Sequence, residues 1–299
     1  MTTGTVLVVG DVIDDLLVRP LDAEAPDTDT PARITACPGG SGANQAAWLG
    51  ALGVPVRFAA RVGAAGLAAH AAALRESGVD ARLTADPRAP TGTIVVLSRD
   101  GRRDMYTDRG ANLNLTAADL GDDLLDGIAL LLVSGYALFH PGVAAAVGDL
   151  MRRARTREVP ICVDPASAGF LRRTGAAAFT AWARGARLIL PNLAEGRALT
   201  GADTPEAVAA ALARAYPVVA LKLGAAGALV ATGAGDRVRV PAAPATVRDT
   251  TGAGDAFAAG FCAAWLAGRP LDACATAAVA TAARAVTATG ARPPLAVRE

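Results

Sequence analysis

Residues 249–257 read DTTGAGDAF, a glycine-rich turn that leads directly into an apolar, alanine-rich run predicted to be helical through Leu266. The first turn of a helix has backbone N–H groups without intrahelical acceptors, and the helix dipole is positive there. Such a turn is suited to binding an anion. Asp255 lies in this turn, where its carboxylate would compete with the anion for the same donors. Either Asp255 caps the helix, or it is a base beside an anion site and removes a proton from an alcohol.

The composition limits the class of protein. The chain has 299 residues, of which 52% are hydrophobic and 19% charged, so it can form one large α/β domain or two small ones with a sizeable core. The net charge of +1, without a run of basic residues, argues against nucleic-acid binding. Four cysteines without a C-x-x-C pattern indicate a reducing compartment and neither zinc nor a disulfide framework. The start of the chain lacks the charge of a signal peptide, and residues 128–133 are too few to span a bilayer, so we expect a cytoplasmic protein without a membrane partner.

Lys222 is the only lysine, and every other basic side chain apart from two histidines is arginine. A phosphate-binding P-loop needs a lysine after a spaced pair of glycines, and that spacing is absent before Lys222. Residues 219–222 read VALK, which is similar to a protein-kinase strand, but the chain has no H-R-D sequence. Both of these phosphate-transferring classes are therefore excluded.

Short apolar runs alternate with longer helical segments along most of the chain, which predicts a parallel βαβ series. After a first strand at residues 5–9, the predicted strands are residues 56–62, 128–134, 161–164, 188–191, 218–223 and 228–231, and the main helices are residues 66–77, 142–155, 205–215, 256–266 and 271–287. Residues 22–31 are rich in Asp, Pro and Thr and predict a loop. Residues 91–98 and 103–107, joined by a turn at Asp100-Gly101, predict a more polar hairpin that serves as a lid.

A second glycine-rich turn, residues 37–44 with the sequence CPGGSGAN, precedes a helical run at residues 45–52. Glycines allow a ligand to approach the backbone closely, and Asn44 can both donate and accept hydrogen bonds. Asp11, Asp14 and Asp15 follow the first strand, at the end of the sheet where ligands bind in open α/β folds. These residues are either ligand-binding groups or solvated loop carboxylates.

These two turns together resemble the ribokinase-like (PfkB) family of sugar and nucleoside kinases. Further similarities, at residues 10–15, 191–195, 222–227 and 290–293, extend the resemblance over essentially the whole chain. The resemblance implies a three-layer α/β/α ribokinase-like fold with a mostly parallel central sheet and a small β lid. It also implies a single kinase domain over residues 1–299, with the lid formed from about residues 12–36 and 91–110, and a homodimer assembled through the lid.

The resemblance further implies an ATP-dependent kinase in which Asp255 is the general base, with Mg²⁺ as a cofactor and K⁺ as a possible second one. The backbone of Gly252, Ala253, Gly254 and Asp255 would bind the transferred γ-phosphoryl group, and Asp15, Gly39, Gly40 and Asn44 would bind the substrate hydroxyls. Asn192, Lys222, Gly224 and Gly227 would line the ATP site, and Glu195 would hold Mg²⁺, partly through water. The potassium positions would be Asp249, Thr251, Ala285, Ala288 and Gly290, although Pro294 replaces a serine that relatives often have.

The sequence leaves the small-molecule substrate open between a sugar and a nucleoside. Gly135 and Ile13 replace the Glu and Asn of ribose-specific relatives, which argues against ribose. Tyr106 or Phe139 could stack on a nucleoside base. Arg102, Arg103 and Arg109 lie in or next to the lid hairpin, where they are either a solvated strand face, the interpretation that we favour, or ligands for a phosphorylated sugar.

Two other functions remain open. A fold does not fix an activity, so a non-catalytic regulatory protein that binds a nucleotide or a sugar is one alternative. A dinucleotide-dependent oxidoreductase is the weaker one, because Phe257 takes the place of the third glycine that its fingerprint requires.

Overall fold

The structure is a computed structural model that describes residues 4–23, 27–99 and 102–294, without the side chains of Arg102 and Arg103. The strands are β1 Thr5–Val9, β2 Ile13–Pro20, β3 Ala32–Gly39, β4 Val56–Gly63, β5 Val79–Asp86, β6 Gly92–Arg99, β7 Arg102–Asp108, β8 Ile128–Ser134, β9 Ile161–Asp164, β10 Leu188–Ile189, β11 Val218–Lys222, β12 Ala228–Thr232 and β13 Arg237–Val240. The helices are α1 Ser41–Ala51, α2 Leu67–Glu76, α3 Pro141–Thr156, α4 Ala168–Thr174, α5 Ala176–Trp182, α6 Leu193–Thr200, α7 Pro205–Ala213, α8 Ala253–Leu266 and α9 Leu271–Ala285.

Within the described ranges, the central sheet has nine strands in the order β13-β12-β11-β10-β9-β8-β1-β4-β5. Its inner strands read as continuous apolar runs because both of their faces are covered. Alternate residues of β1 show this: Val6 and Val8 pack against α1, α2, α8 and α9, whereas Leu7 and Val9 pack into a second core with α3 to α7. The predicted three-layer fold with a mostly parallel central sheet is confirmed.

One edge of the central sheet differs from the prediction. We expected residues 228–231 to continue the parallel series, but β12 runs antiparallel to β11, with Ala220 opposite Val230, and β13 is antiparallel to β12. The physical reason is the connection: β11 and β12 are joined by a single turn of 3₁₀ helix at Gly224–Ala226. A parallel pairing needs a crossover of a dozen or more residues.

A second sheet, which we call the lid sheet, has four described strands in the order β3-β2-β6-β7. Strand β2 leaves the core directly after β1, and it pairs in parallel with β6 and antiparallel with β3. Asn112 fixes the backbone at the start of β2, because its side chain hydrogen-bonds both the N–H and the carbonyl of Val12 at 2.9 Å. The small β lid is therefore confirmed, whereas the single domain over residues 1–299 stays a prediction. The predicted turn at Asp100-Gly101 lies outside the described residues.

Strand β3 was not predicted. It is mostly exposed and ends at Gly39, immediately before α1, so the second glycine-rich turn joins the lid sheet to the core. The four cysteines are free thiols, and the Sγ atoms of Cys162 and Cys262 lie 3.8 Å apart in the core. Among the helices that the structure describes, none has the length and apolar character needed to cross a bilayer.

Candidate active site

The candidate catalytic and binding side chains lie at the carboxyl ends of the central strands, as expected for an open α/β sheet. Asp11 follows β1, Tyr136 follows β8, Asp164 ends β9, and Lys222 ends β11. Helix α8 points its first turn at the same edge, so its N-terminus faces these side chains. The fold thereby brings together residues that are up to about two hundred positions apart in the sequence.

Gly252 stands immediately before α8, in a conformation and a space that only glycine fits. Its φ is 75°, in the left-handed region, and an added Cβ would lie 2.6 Å from the Cα of Ala291. Ala253 N–H donates a long hydrogen bond, 3.3 Å, to the carbonyl of Thr250. Gly254 and Asp255 follow in the first turn, where helix geometry supplies no intrahelical acceptor. The turn therefore presents backbone donors to the cleft.

Asp255 does not cap its own helix, because its carboxylate is bound from the side by α1. Ser41 Oγ donates to its Oδ1 at 2.7 Å, and Asn44 Nδ2 donates to its Oδ2 at 3.0 Å. Gln45 Nε2 lies 3.4 Å from the same Oδ1. Burial raises the pKa of Asp255 to about 7, against the opposing effect of the bonds from Asn44 and Ser41. A carboxylate poised near neutral pH and held by donors fits a general base.

The second glycine-rich turn lies against the acids that follow β1. Asp11 accepts a hydrogen bond from Gly42 N–H at 3.0 Å. A Cβ on Gly39 would lie 2.2 Å from Asp15 Oδ2, so the carboxylate reaches the turn only because Gly39 has no side chain. Burial, together with Asp11, raises the pKa of Asp15 to about 6. We call the region around Asp15, Gly39, Gly40 and Asn44 the acceptor site.

Arg109 is not a solvated residue, so the interpretation that we favoured for it is wrong. Its Nη2 donates to Asp11 Oδ2 at 2.9 Å, and its guanidinium lies over the Tyr136 ring, 4.6 Å from the centroid. The Arg109 side chain is only 11% exposed to solvent. The chain leaves β7 at Asp108 and turns inward, which carries Arg109 away from the solvated face. The side chains of Arg102 and Arg103 lie outside what the structure describes.

Arg292 is a second arginine at the acceptor site, and the sequence analysis assigned it no role. Its Nη2 donates to the carbonyl of Gly39 at 3.3 Å. Burial lowers its pKa to about 10, although Asp15 and Asp14 oppose that effect. Ala291, the preceding residue, packs against Gly252 and accepts a bond from Trp48 Nε1 at 2.9 Å. The segment therefore joins the acceptor site to the start of α8.

On the other side of Asp255, a buried polar chain leads to Lys222. Gln45 Nε2 donates to Asp164 Oδ2 at 3.1 Å, and Lys222 Nζ contacts both carboxylate oxygens of Asp164 at 2.9 Å. Burial alone would lower the pKa of Lys222, but Asp164 and Glu195 raise it above its usual range. Lys222 therefore stays charged, and its Nζ is close to the first turn of α8, 3.5 Å from the place of a Cβ on Gly254.

Asn192 and Glu195 form a capping box at the start of α6. Asn192 Oδ1 accepts from Glu195 N–H at 2.9 Å, and Glu195 Oε2 accepts from Asn192 N–H at 2.8 Å. Burial raises the pKa of Glu195 to about 7, opposed by Lys222. Buried carboxylate oxygens that Lys222 only partly neutralises suit a hard divalent cation. The residues thus fit Mg²⁺ held partly through water.

The predicted potassium positions lie together on the segments around α8 and α9. Asp249 Oδ1 accepts from the N–H and the hydroxyl of Thr251 at 2.9 and 2.7 Å, and its Oδ2 accepts from Gly290 N–H at 3.0 Å. Ala288 N–H donates to the carbonyl of Ala285 at 3.3 Å. In the described part of the chain, no cluster of three or more His, Cys, Asp or Glu side chains could hold a metal ion. A potassium site here would depend on backbone carbonyls.

A cleft of about 690 Å³ adjoins α8, and we call it the nucleotide cleft. One end is polar and the other is lined by small apolar side chains, a combination typical of sites for a drug-sized ligand. Its lining includes the predicted residues Gly252, Ala253, Gly254, Asp255, Asn192, Glu195, Lys222, Gly224 and Gly227, with Val247, Val279, Ala282, Ala283 and Val286 at the apolar end. Asn44 connects this cleft to the acceptor site through its bond to Asp255.

Sequence reasoning missed several site residues. Asn44 and Gln45 stand three and four residues after Ser41, so the helical spacing from Ser41 could have identified this group around Asn44. Asp164 ends a predicted strand and Tyr136 follows one, which is a weaker signal. Arg292 lies in a stretch that resembles the family, residues 290–293, but nothing in the local sequence indicates its contact with Gly39.

Comparisons with known proteins agree with the fold. Residues 3–298 match the family described as pfkB family carbohydrate kinase. The bifunctional protein HldE of Rhodopseudomonas palustris (strain BisB5) is 30% identical over 310 residues, which cover 96% of this chain and 60% of that protein. The chain thus spans about three fifths of the length of this curated relative.

Two solved structures are similar over nearly the whole chain. Adenosine kinase from Sinorhizobium meliloti has a TM-score of 0.87 and 26% identity, with 97% of this chain and 96% of that chain covered. A putative ribokinase II from E. coli, in complex with ATP and Mg²⁺, has a TM-score of 0.86 and 24% identity, with 96% and 94% covered. This chain belongs to the pfkB family of carbohydrate kinases. The members of this family are ATP-dependent sugar and nucleoside kinases, phosphotransferases with an alcohol group as acceptor.

Proposed function

We propose that the protein transfers the γ-phosphoryl group of ATP to a hydroxyl of a sugar or sugar-like molecule, with Asp255 as the general base. The observation that carries this proposal is the position of the Asp255 carboxylate. It lies in the first turn of α8, beside backbone donors, and Ser41 and Asn44 hold it from the opposite side. An acceptor hydroxyl between the acceptor site and this turn would meet the base and the transferring phosphoryl group together.

Asp255 would take the proton of the acceptor hydroxyl as the oxygen attacks phosphorus. Its raised pKa supports this role, because a base with a pKa near 7 is substantially ionised at neutral pH and binds a proton better than an ordinary carboxylate does. Backbone N–H groups of Gly254 and Asp255 would stabilise the charge on the γ-phosphoryl oxygens, and Gly252 gives that turn its shape. Ala253 N–H would contribute after giving up its long bond to Thr250. Phosphoryl transfer depends mostly on such positioning and charge stabilisation.

ATP would occupy the nucleotide cleft, with its phosphates towards Lys222 and its base against the small apolar side chains. Lys222 would balance phosphate charge, and Asp164 holds the ammonium group in place. Glu195 and Asn192 would hold Mg²⁺, which supplies positive charge to the phosphate oxygens. The ATP- and Mg²⁺-bound state of the ribokinase II structure supports this assignment. We also propose K⁺ activation at the Asp249 segment, tested by replacing K⁺ with choline in the assay.

An ADP-release screen tests the function, with sugars, sugar phosphates, sugar acids, polyols and nucleosides as acceptors and Asp255→Asn as the control. We expect acceptor-dependent ADP release that the variant lacks. ADP release by neither protein with any acceptor would instead favour a binding protein without catalysis. The similarity to adenosine kinase keeps nucleosides in the screen.

We further propose a homodimer through the lid sheet. Its described edge strands β3 and β7 carry exposed apolar side chains, Ile34 at 64%, Met105 at 69% and Tyr106 at 62% exposure. Unpaired sheet edges with such side chains tend to associate. Light scattering of the wild type and of Met105→Glu tests this proposal, and a monomeric wild type would contradict it.

A further inference from the structure

Two arginines at the acceptor site have N–H groups that the protein leaves unused. Arg109 Nη1 and Arg292 Nε and Nη1 are buried and have no hydrogen-bond partner among the residues that the structure describes. By contrast, the guanidinium of Arg61 bonds both Asp86 and Asp119. A buried polar group that has no partner is unfavourable, because it has lost its hydrogen bonds to water. Such groups at a ligand site indicate atoms that the ligand supplies.

The two guanidiniums flank the acceptor site from separate parts of the fold. Arg109 follows β7 and lies against Tyr136, which also lines the nucleotide cleft. Arg292 follows the residue that packs on Gly252 and bonds the carbonyl of Gly39. Asp15 is near both arginines, since each guanidinium lowers the pKa of its carboxyl group electrostatically, against the larger opposing effect of burial. Both side chains are therefore close to the position proposed for the acceptor.

The two arginines differ in their pairing with the nearby acids. Asp11 is paired with Arg109 and offsets its charge, and Asp14 lies 3.2 Å from His70 Nε2. Arg292 has no ion-pair partner among the residues that the structure describes, and two of its guanidinium nitrogens have no hydrogen-bond partner there. On the same side, Asn44 Oδ1 is a buried acceptor without a partner in the described part of the chain. The site therefore offers an acceptor for a hydroxyl donor and at least three N–H donors for acceptor atoms of a ligand.

We propose that the acceptor substrate carries an anionic group, a phosphate ester or a carboxylate, in addition to the hydroxyl that is phosphorylated, and that Arg109 and Arg292 bind this group. This proposal rests on the proposed kinase function and narrows its substrate class. Guanidinium groups bind phosphate and carboxylate oxygens with paired, charge-assisted hydrogen bonds. The hydroxyl oxygens of a neutral sugar or a nucleoside can accept hydrogen bonds from these N–H groups, but they supply no negative charge to the guanidiniums.

Matched pairs of acceptors test the proposal in an ADP-release assay with the full chain: ribose and ribose 5-phosphate, fructose with its 1- and 6-phosphates, mannose and mannose 6-phosphate, and glucose and gluconate. We expect an anionic member to exceed its neutral parent by at least about 100-fold in kcat/KM, since sites built around polar groups reject analogues that lack the partner. The phosphate and carboxylate arms distinguish the two kinds of anion.

Arg292→Gln should lower kcat/KM for the anionic acceptor by about 10- to 100-fold, mainly through KM, with Arg292→Lys between it and the wild type. Arg82→Gln, at an exposed arginine paired with Asp80, is the matched control and should change nothing. Thermal unfolding checks that each variant is folded. If Arg292→Gln is unfolded, the test relies on Arg292→Lys alone. A KM for the anionic acceptor that is the same in the folded variant as in the wild type contradicts the proposal.

Failure of this inference is distinguishable from failure of the kinase function. Asp255-dependent phosphorylation of a neutral sugar or nucleoside, faster than of every anionic member, overturns the inference and leaves the function intact. If no acceptor is phosphorylated, calorimetric titration with the same acceptors tests whether the protein binds an anionic ligand. Binding of an anionic member that Arg292→Gln loses supports the anion site alone, and the absence of such binding overturns the inference as well.

Discussion

Replacing Asp255 with Asn should abolish catalysis and stabilise the fold at the same time. An asparagine can keep the contacts, because its oxygen can accept from Asn44 Nδ2 and its amide can donate to Ser41 Oγ. It cannot accept the proton of the acceptor hydroxyl. General-base assistance is worth ~10²–10⁴-fold, so kcat should fall by at least about 100-fold while the Kd for ATP changes little.

The gain in stability follows from the pKa of Asp255. Burial raises it from 3.8 to about 7, so the folded state binds this proton more tightly than the unfolded state. Between pH 4 and 7 the stability of the wild type therefore falls as the pH rises, by at most about 4 kcal/mol at 1.36 kcal/mol per pH unit. Water in the cleft and the contacts to α1 reduce this effect, so we expect the variant to gain about 1–2 kcal/mol at pH 8 and nothing at pH 4.

Two measurements check this prediction. Steady-state kinetics of the wild type should show kcat/KM rising with pH as the base ionises, with its half-maximum near the pKa of about 7 and a plateau at higher pH. Urea unfolding of both proteins at pH 4 and pH 8 gives the free energies of unfolding. The reasoning is refuted if the variant keeps more than a tenth of the wild-type kcat, or if it is destabilised equally at both pH values.

Three further predictions concern the surroundings of Asp255. Asp164→Asn removes the partner of the buried Lys222, so we expect the free energy of unfolding in urea to fall by about 3–5 kcal/mol. The acid limb of the pH–rate profile should also move to lower pH, because Asp164 raises the pKa of Asp255. Gly252→Ala should lower kcat by ~10²–10³-fold, because its Cβ would clash with Ala291 and displace the donors of α8; Gly268→Ala, with a similar φ of 69° and open space, is the control and should cost only about 1–2 kcal/mol of stability. Glu195→Gln should raise the Mg²⁺ concentration for half-maximal activity several-fold, and an unchanged Mg²⁺ titration would remove Glu195 from the metal site.

The central sheet could be predicted because its pattern is local. Buried parallel strands such as β8 read as continuous apolar runs, and both glycine-rich turns stand directly before helices. Strand β3 could not be found in this way. Its side chains are mostly exposed, and its only reason to be extended is the pairing with β2.

The site was predictable where one motif carries the chemistry, as around Asp255. Residues whose role depends on distant partners were not. Arg109 reads as one of several lid arginines until the fold places it 2.9 Å from Asp11, 98 positions earlier in the chain. Asp164 and Arg292 acquire their partners in the same manner, through pairings that no local pattern encodes.

The bond from Ser41 to Asp255 also has a consequence during synthesis of the chain. The two residues are 214 positions apart, so the ribosome adds the second roughly 10–40 s after the first at ordinary elongation rates. Throughout that interval the nascent polypeptide contains α1 without its catalytic counterpart. A chain that stops before residue 253 contains every strand of the central sheet but lacks α8 and Asp255. In the proposed mechanism, phosphoryl transfer therefore requires that α8 and the segment after α9 have been synthesised, because Ala291 packs against Gly252.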